Sequence, residues 1–360
     1  MAKQADILRP HAETTYAKEL SALVKQDQFA QPVGWRLSPR AVVTYLLGGT
    51  LNDGTEISTK YFGDRRLIEV AVASLVTDRA LLLVGIPGTA KTWVSEHLAA
   101  AISGDSTLLV QGTAGMSEDA LRYGWNYARL LAEGPSEKAL VPSPIMVGMQ
   151  KGKLVRLEEL TRIPSDVQDA LITVLSEKSL PIPELNKEVQ ARRGFNVIAT
   201  ANDRDKGVNE LSSALRRRFN TVVMPLPASL EEEVKIVTER SRATGSANNL
   251  PPNAKDPAEE IRKLVTIFRE LRSGQTEDGR TKLKSPSSTL STAEAISVVN
   301  QSRSLAVHFG DGELRPADLA ASLAGAVVKD ARQDEVAWRE YLDVVMRKRK
   351  GWEELYKALK

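Results

Sequence analysis

Eight consecutive residues, Gly85-Ile86-Pro87-Gly88-Thr89-Ala90-Lys91-Thr92, have the types and order needed to hold a phosphate chain. Glycines let backbone N–H groups turn inward around an anion, and a helix that starts at the lysine adds the partial positive charge of its N-terminus. In such a loop Lys91 reaches the β- and γ-phosphates and Thr92 sets its hydroxyl on Mg2+. The flanks agree. Ala80-Leu81-Leu82-Leu83-Val84 is a short apolar run suited to a buried strand, and Trp93 to Ala101 reads as helix. One position departs from the motif, because the glycine expected before the lysine is Ala90.

Phosphoryl transfer also needs an acid near Mg2+ and a group that orients water. Lys153-Leu154-Val155-Arg156-Leu157-Glu158-Glu159-Leu160 is a short apolar strand ending in two carboxylates. The competing reading is a surface strand with a solvated acidic pair, and Arg156 favours it, since a charge is costly in a buried parallel strand. Phe195 to Asp203 is a strongly apolar strand that ends in polar residues. Ligands in open α/β sheets bind beyond the carboxyl ends of the strands, which puts Asn202 near the phosphates. Arg216, Arg217 and Arg218 close the helix predicted over 209–218. Basic residues there equally suit a helix C-terminus without any chemistry.

The elements that position these residues are set by pattern and punctuation. Helices are predicted over 12–23, over 39–47 behind a Ser38 cap and before Gly48-Gly49, and over 65–76. Asn52-Asp53-Gly54 marks a turn. Tyr61-Phe62-Gly63 fits the border of an adenine pocket and fits plain core packing equally well. A strand is expected over 106–110. Residues 111–149 are broken repeatedly by glycine and proline, too long for a passive connection, with exposed aromatics expected around Leu121-Arg122-Tyr123-Gly124-Trp125-Asn126-Tyr127. A helix over 167–178 precedes a hairpin around Asn186-Lys187, and a last strand runs over 219–224. From Ser229 onward the chain reads as helices over 257–272, 291–309, 316–329 and 333–359. A further helix begins behind Ser229, a linker at 248–253 follows it, and a polar loop lies at 274–288. The basic run Met346-Arg347-Lys348-Arg349-Lys350 reads as a solvated helix face.

Composition narrows the classes. The 360 residues are 42% hydrophobic and 26% charged, with 49 basic against 46 acidic residues. That size suits about two domains, and the mild charge gives no argument for nucleic acid. Cysteine is absent, which excludes disulfides and thiolate sites, and three scattered histidines make a histidine metal site a poor expectation. With no apolar run of spanning length and no apolar signal core at the N-terminus, the chain is expected to be cytoplasmic and off the membrane.

The succession of phosphate loop, acidic strand end, hairpin, Asn-ended strand, Arg-ended helix and helical tail resembles the AAA+ ATPases. The form Gly-Ile-Pro-Gly-Thr-Ala-Lys-Thr is similar to the MoxR family, and within it to the YehL-like branch. The resemblance spans about residues 55–330. It implies an α/β P-loop core, a parallel sheet sandwiched by helices, followed by an all-helical lid. Residues 1–55 would be an N-terminal helical appendage, 56–228 the nucleotide-binding domain and 229–360 the lid with C-terminal helices. Residues 111–149 would be the helix-2 insert of that clade and 179–193 its pre-sensor hairpin.

Carried over by the resemblance, ATP and Mg2+ would bind at Gly85 to Thr92, with Lys91 and Thr92 as the Walker A pair. Glu158 would hold Mg2+, Glu159 would orient water, and Asn202 would be sensor 1. Arg218 would be the arginine finger acting on a neighbour's ATP. The implied assembly is a homo-oligomeric ring, a hexamer, that remodels a protein client in a chaperone-like role. The client would be a protein with a von Willebrand A domain in some cases and a metalloenzyme in others. Two residues depart from the family pattern. Glu158 replaces the usual Asp, and Ala293 in Ser291-Thr292-Ala293-Glu294 falls where sensor 2 would be, with Arg303 as a substitute cation. These departures support a rival reading, a nucleotide-gated scaffold with little hydrolysis. A third reading, a DNA-associated motor, lacks a recognisable DNA-reading domain and a basic chain.

Overall fold

The structure, a computed structural model, describes residues 7–202, 209–247, 250–251 and 257–360. Its contacts divide the chain into two compact units, Met1–Ile86 with Ala90–Met224, and Pro87–Thr89 with Pro225–Lys360.

The first unit is built on a five-stranded sheet: β1 (Ala80–Gly85), β2 (Leu109–Gln111), β3 (Leu154–Glu158), β4 (Asn196–Asn202) and β5 (Phe219–Val223). The order is β5-β1-β4-β3-β2 and every pairing is parallel. The continuous apolar runs reflect burial on both faces. Side chains alternate between those faces, so Leu81 and Leu83 join one core with Leu98, Ile102, Ile198 and Val222. Leu82 faces another core, with Val110, Leu157, Val197 and Leu171.

Helices α1 (Ala17–Gln26), α2 (Pro39–Leu47), α3 (Arg65–Val76) and α4 (Lys91–Ser103) accompany the first core. Ser38 caps α2 by accepting from the Ala41 amide at 3.2 Å, and Gly48 ends it at φ 78°. Leu20, Leu37, Tyr45 and Leu46 lie in the same core as the β1 residues.

Several local expectations change. The helix expected over 12–23 is two helices, Ala12–Thr15 and Ala17–Gln26, broken at Tyr16 (φ −106°, ψ 26°). The Tyr16 ring packs edge-on to Tyr45 and His97 there. The strand expected over 106–110 begins only at Leu109, because Ser106 gives its amide and hydroxyl to the Glu13 carboxylate. Residues 111–149 are more regular than their prolines and glycines suggest. Tyr123–Trp125 and Leu140–Pro142 form an antiparallel ribbon around the helix Tyr127–Glu133, and Pro144 opens the helix Pro144–Lys151 behind a Ser143 cap. In this insert Leu121 and Tyr123 are buried and only Tyr127 of the named aromatics is exposed. Tyr123 donates to Glu184 of the hairpin Ser179–Gln190 at 2.8 Å, which fastens insert to hairpin.

The helix expected over 167–178 is split at Asp169 into Ser165–Gln168 and Ala170–Ser176. The one expected over 209–218 is a single turn, Ser213–Arg216. Asn209 is instead tied to the Thr161 and Ile163 carbonyls, so the backbone turns helical only behind the Ser212 cap.

The second unit is helical throughout its main elements: Leu230–Ala247, Ala258–Ser273, Thr292–Phe309, Pro316–Val327, Asp334–Val344 and Glu353–Leu359. Val237, Leu264, Phe268, Val299, Leu323 and Tyr341 share its core. Two fully buried carboxylates cross-link it. Glu233 takes Arg269, Arg272 and the Thr292 hydroxyl, and Glu270 takes the Tyr341 hydroxyl and Arg349. The basic run is solvated at Arg347, Lys348 and Lys350 but is not one helix face. Met346–Lys348 is a 3-10 turn and Arg349 points inward to Glu270. Most of the expected linker at 248–253 lies outside the described residues. Among the described residues no helix is long and apolar enough to cross a membrane.

Lys60 ties α1 to α4. Its side chain is fully buried, paired with Glu19 and set over the rings of Tyr16 and Tyr45 at 4.4 and 4.5 Å. The Lys60 carbonyl accepts from the Trp93 indole at 2.8 Å, two residues into α4. Removing one member of a buried ion pair leaves an uncompensated charge. Glu19→Ala is accordingly expected to lower unfolding stability by about 3 kcal/mol, read as a shift in urea midpoint.

Ala90 caps α4 in the left-handed conformation, at φ 63° and ψ 20°. That region costs an L-residue about 1–2 kcal/mol, whereas glycine enters it freely. Glycine also gives back some unfolded-chain entropy. The expected net for Ala90→Gly is a gain of about 1 kcal/mol in the same denaturation measurement.

Candidate functional site

The site is assembled at the carboxyl ends of adjacent parallel strands. Asn202, the last residue of β4, lies in register with Gly85, the last of β1 and the first of the phosphate loop. Gln111 at the end of β2 is in register with Glu158 at the end of β3. Loop and acids therefore meet where the strand tips open.

Lys91 is 8% exposed, and its ammonium donates to the Gly85 and Ile86 carbonyls at 2.7 and 2.8 Å. The cation is thereby held against the loop that the motif assigns to phosphates. Thr92 is the second residue of α4, and its hydroxyl donates to Glu158 Oε2 at 2.9 Å.

Glu158 is 2% exposed and takes four donors. Thr92 and Thr200 hydroxyls reach Oε2, the latter at 2.7 Å, while the Ser95 hydroxyl and Arg156 Nη2 reach Oε1, the guanidinium at 3.0 Å. The arginine that favoured a surface strand is itself buried within a strand whose residues are all buried. The expected cost is met by the partner two residues along. Residues i and i+2 share one face of a strand, so Arg156 and Glu158 neutralise each other there.

Glu159 comes next at φ 55° and ψ 48°, left-handed like Ala90. The reversal turns its side chain out of the strand. The side chain is partly exposed and pairs with Arg162 at 3.0 Å, while its amide donates to Thr200 Oγ1 at 3.0 Å. The two acids thus occupy different surroundings, one buried and saturated with donors, one partly exposed. Across from them, Gly112 donates its amide to the Glu158 carbonyl at 2.7 Å, and a Cβ there would fall 2.3 Å from the Glu159 carbonyl oxygen.

The donor set suits a hard divalent cation. Thr92 and Glu158 offer oxygens side by side, and among the described residues no group of three or more His, Cys, Asp or Glu forms a cage of its own. Mg2+ is held in this way, by one or two protein oxygens together with phosphates and water.

Tyr61 is buried in the core with Tyr45 and Ile68, while Phe62 is half-buried and Gly63 exposed at φ 143°. Arg216 and Arg217 are exposed. Arg218 donates to the Ser176 hydroxyl at 2.8 Å and the Ala214 carbonyl at 2.7 Å, both neutral acceptors. In the helical unit Ala293 is exposed, one residue inside a helix capped reciprocally by Ser291 and Glu294. Arg303, named as a substitute cation, lies in the same unit. It is buried and donates to the Ser241 and Pro251 carbonyls, each at 3.2 Å. Sequence reasoning misses Ser95 and Thr200 and takes Arg156 for the mark of a surface strand. Only the alternation of Arg156 with Glu158 left a signal for one of them.

Residues 80–219 match the AAA domain of the dynein-related subfamily, and residues 231–359 match the YehL-like AAA+ ATPase C-terminal domain. The chain is 41% identical to the protein YehL of Escherichia coli K12 over 356 residues, covering 97% of this chain and 96% of that one. A Staphylococcus haemolyticus protein, SH1500, is 27% identical over 158 residues, 43% of this chain and 59% of its own length. Among solved structures, NtrX from Brucella abortus in complex with ADP aligns with a TM-score of 0.50 at 13% identity, over 82% of this chain and 61% of that one, a likeness of fold alone. On the two matched domains and the near-full-length likeness, the chain belongs to the YehL-like AAA+ ATPases.

Proposed function

We propose that this protein binds ATP with Mg2+ at the Gly85–Thr92 loop and hydrolyses it within a homo-oligomeric ring, a hexamer, to remodel a protein client. The observation that carries the reading is the grouping at neighbouring strand tips. Lys91, the Thr92–Glu158 pair, Glu159 and Asn202 stand at the ends of β1, β3 and β4.

In this reading Lys91 leaves the loop carbonyls for the β- and γ-phosphates. Thr92 and Glu158 hold the cation, which when bound neutralises charge on the phosphates. Glu159, partly exposed and free of the donor shell around Glu158, is placed to accept a proton from water and orient it. Asn202, in register with Gly85, adds a polar contact at the γ-phosphate end. Arg218 carries the charge for a neighbouring subunit's ATP, and its hydrogen-bond partners among the described residues are a hydroxyl and a carbonyl, neither of which carries a charge. The chaperone-like role, with a von Willebrand A protein as client, rests on the family likeness. A cytoplasmic setting is the reading of a sequence with no apolar run of spanning length.

A scaffold that binds ATP and hydrolyses little is the second reading. The departures at Glu158, where the family has Asp, and at Ala293, where sensor 2 would be, support it.

Steady-state ATPase rate against protein concentration, with Arg218→Ala and Glu159→Gln alongside, separates the two. Specific activity should climb with concentration, and each variant should lose at least about 100-fold while still binding ATP. Tight binding with negligible wild-type turnover at every concentration would establish the scaffold instead.

A further inference from the structure

Arg156 has no task in phosphate binding or hydrolysis, yet it touches both residues assigned to the cation. Its guanidinium is 5% exposed in the side chain and bonds Glu158 Oε1 at 3.0 Å and the Thr92 carbonyl at 3.3 Å. Its other donors are engaged by Ser95 Oγ at 3.1 Å and the Ser106 carbonyl at 3.2 Å, which fix the plane of the fork.

We propose that Arg156 is a positioning residue and a resident counter-ion for Glu158, one that competes with the divalent cation and raises the Mg2+ concentration the site requires. The two oxygens of Glu158 are divided. Oε1 faces Arg156 and Ser95, and Oε2 faces Thr92 and Thr200. A cation entering between Thr92 Oγ1 and Oε2 therefore shares one negative charge with a guanidinium already bound to it. In a buried setting the repulsion between two such cations is weakly screened. Without a metal the arginine keeps the buried carboxylate compensated. With one, it weakens the metal's hold.

This inference rests on the reading of Glu158 as the magnesium carboxylate, and one experiment keeps the two apart. Anisotropy of a fluorescent ADP analogue is measured with the full chain while free Mg2+ is varied against EDTA, in wild type, Arg156→Gln and Arg156→Lys. If Mg2+ fails to tighten ADP binding in wild type, the reading of the site falls and the inference with it. Given tightening, Arg156→Gln should reach its half-maximum at Mg2+ about threefold or more lower than wild type. Arg156→Lys, which keeps the charge, should stay within about twofold. An unchanged or higher Mg2+ requirement in Arg156→Gln, or a lysine variant that behaves like the glutamine one, overturns the counter-ion role and leaves the site reading intact. Should Arg156→Gln not fold alone, recovery in Mg2+·ADP but not in ADP with EDTA supports the role. Insolubility in both overturns it.

Discussion

A buried carboxylate that needs four donors governs the first unit. Glu158 sits inside a parallel sheet, where an isolated ion would be several kcal/mol out of place, on the order of what one buried charge costs in proteins. Every oxygen lone pair in reach is answered: hydroxyls from the loop's helix and from β4 on one side, a hydroxyl and a guanidinium on the other. Those donors come from three separate elements. The phosphate loop's helix, β3 and β4 must therefore keep their spacing for the charge to remain tolerable. The same bonds that stabilise the ion hold Thr92 beside it, so the stability of the core and the readiness of the site are one set of contacts.

The parallel register converts that local demand into a site. Because Gly85 pairs with Asn202 and Gln111 with Glu158, the strands end together, and the segments leaving them open on one edge. The backbone reversals at Ala90 and Glu159 sit at that edge. Left-handed residues other than glycine are strained. Strain persists where the surrounding structure fixes it and clusters at functional positions. Here it starts a helix at the lysine and separates two consecutive acids into different surroundings.

The segments outside the sheet use buried charge in the same manner. Lys60 joins α1 to the start of α4 through Glu19 and the Trp93 indole, and Glu233 and Glu270 clamp the helices of the second unit through arginines. A buried ion pair contributes little net stability beside a hydrophobic alternative, but it is demanding about partners. Each of these pairs joins segments that are separated in the chain, and each loses its compensation if they part.

The chain's own pattern determined the parts that are periodic or locally punctuated. The apolar runs at 80–84 and 195–201, the helix at 65–76, the capped helix at 39–47 and the hairpin at Asn186 all stand as their residues dictate, because periodicity and caps act within a few positions. The phosphate loop was legible for the same reason, since its chemistry is contiguous. Tertiary structure alone decided whether Arg156 was a surface residue or an internal one. Its partners Ser95 and Ser106 lie 61 and 50 residues away, and no short window contains them. It likewise decided that Thr200 reaches Glu158 across 42 residues, that the glycine-rich insert closes into a ribbon, and that Arg349 turns inward to Glu270. Pattern reports how a residue meets its neighbours along the chain. Whether a charge can be buried depends on what faces it across the fold, and folding is what brings those groups together.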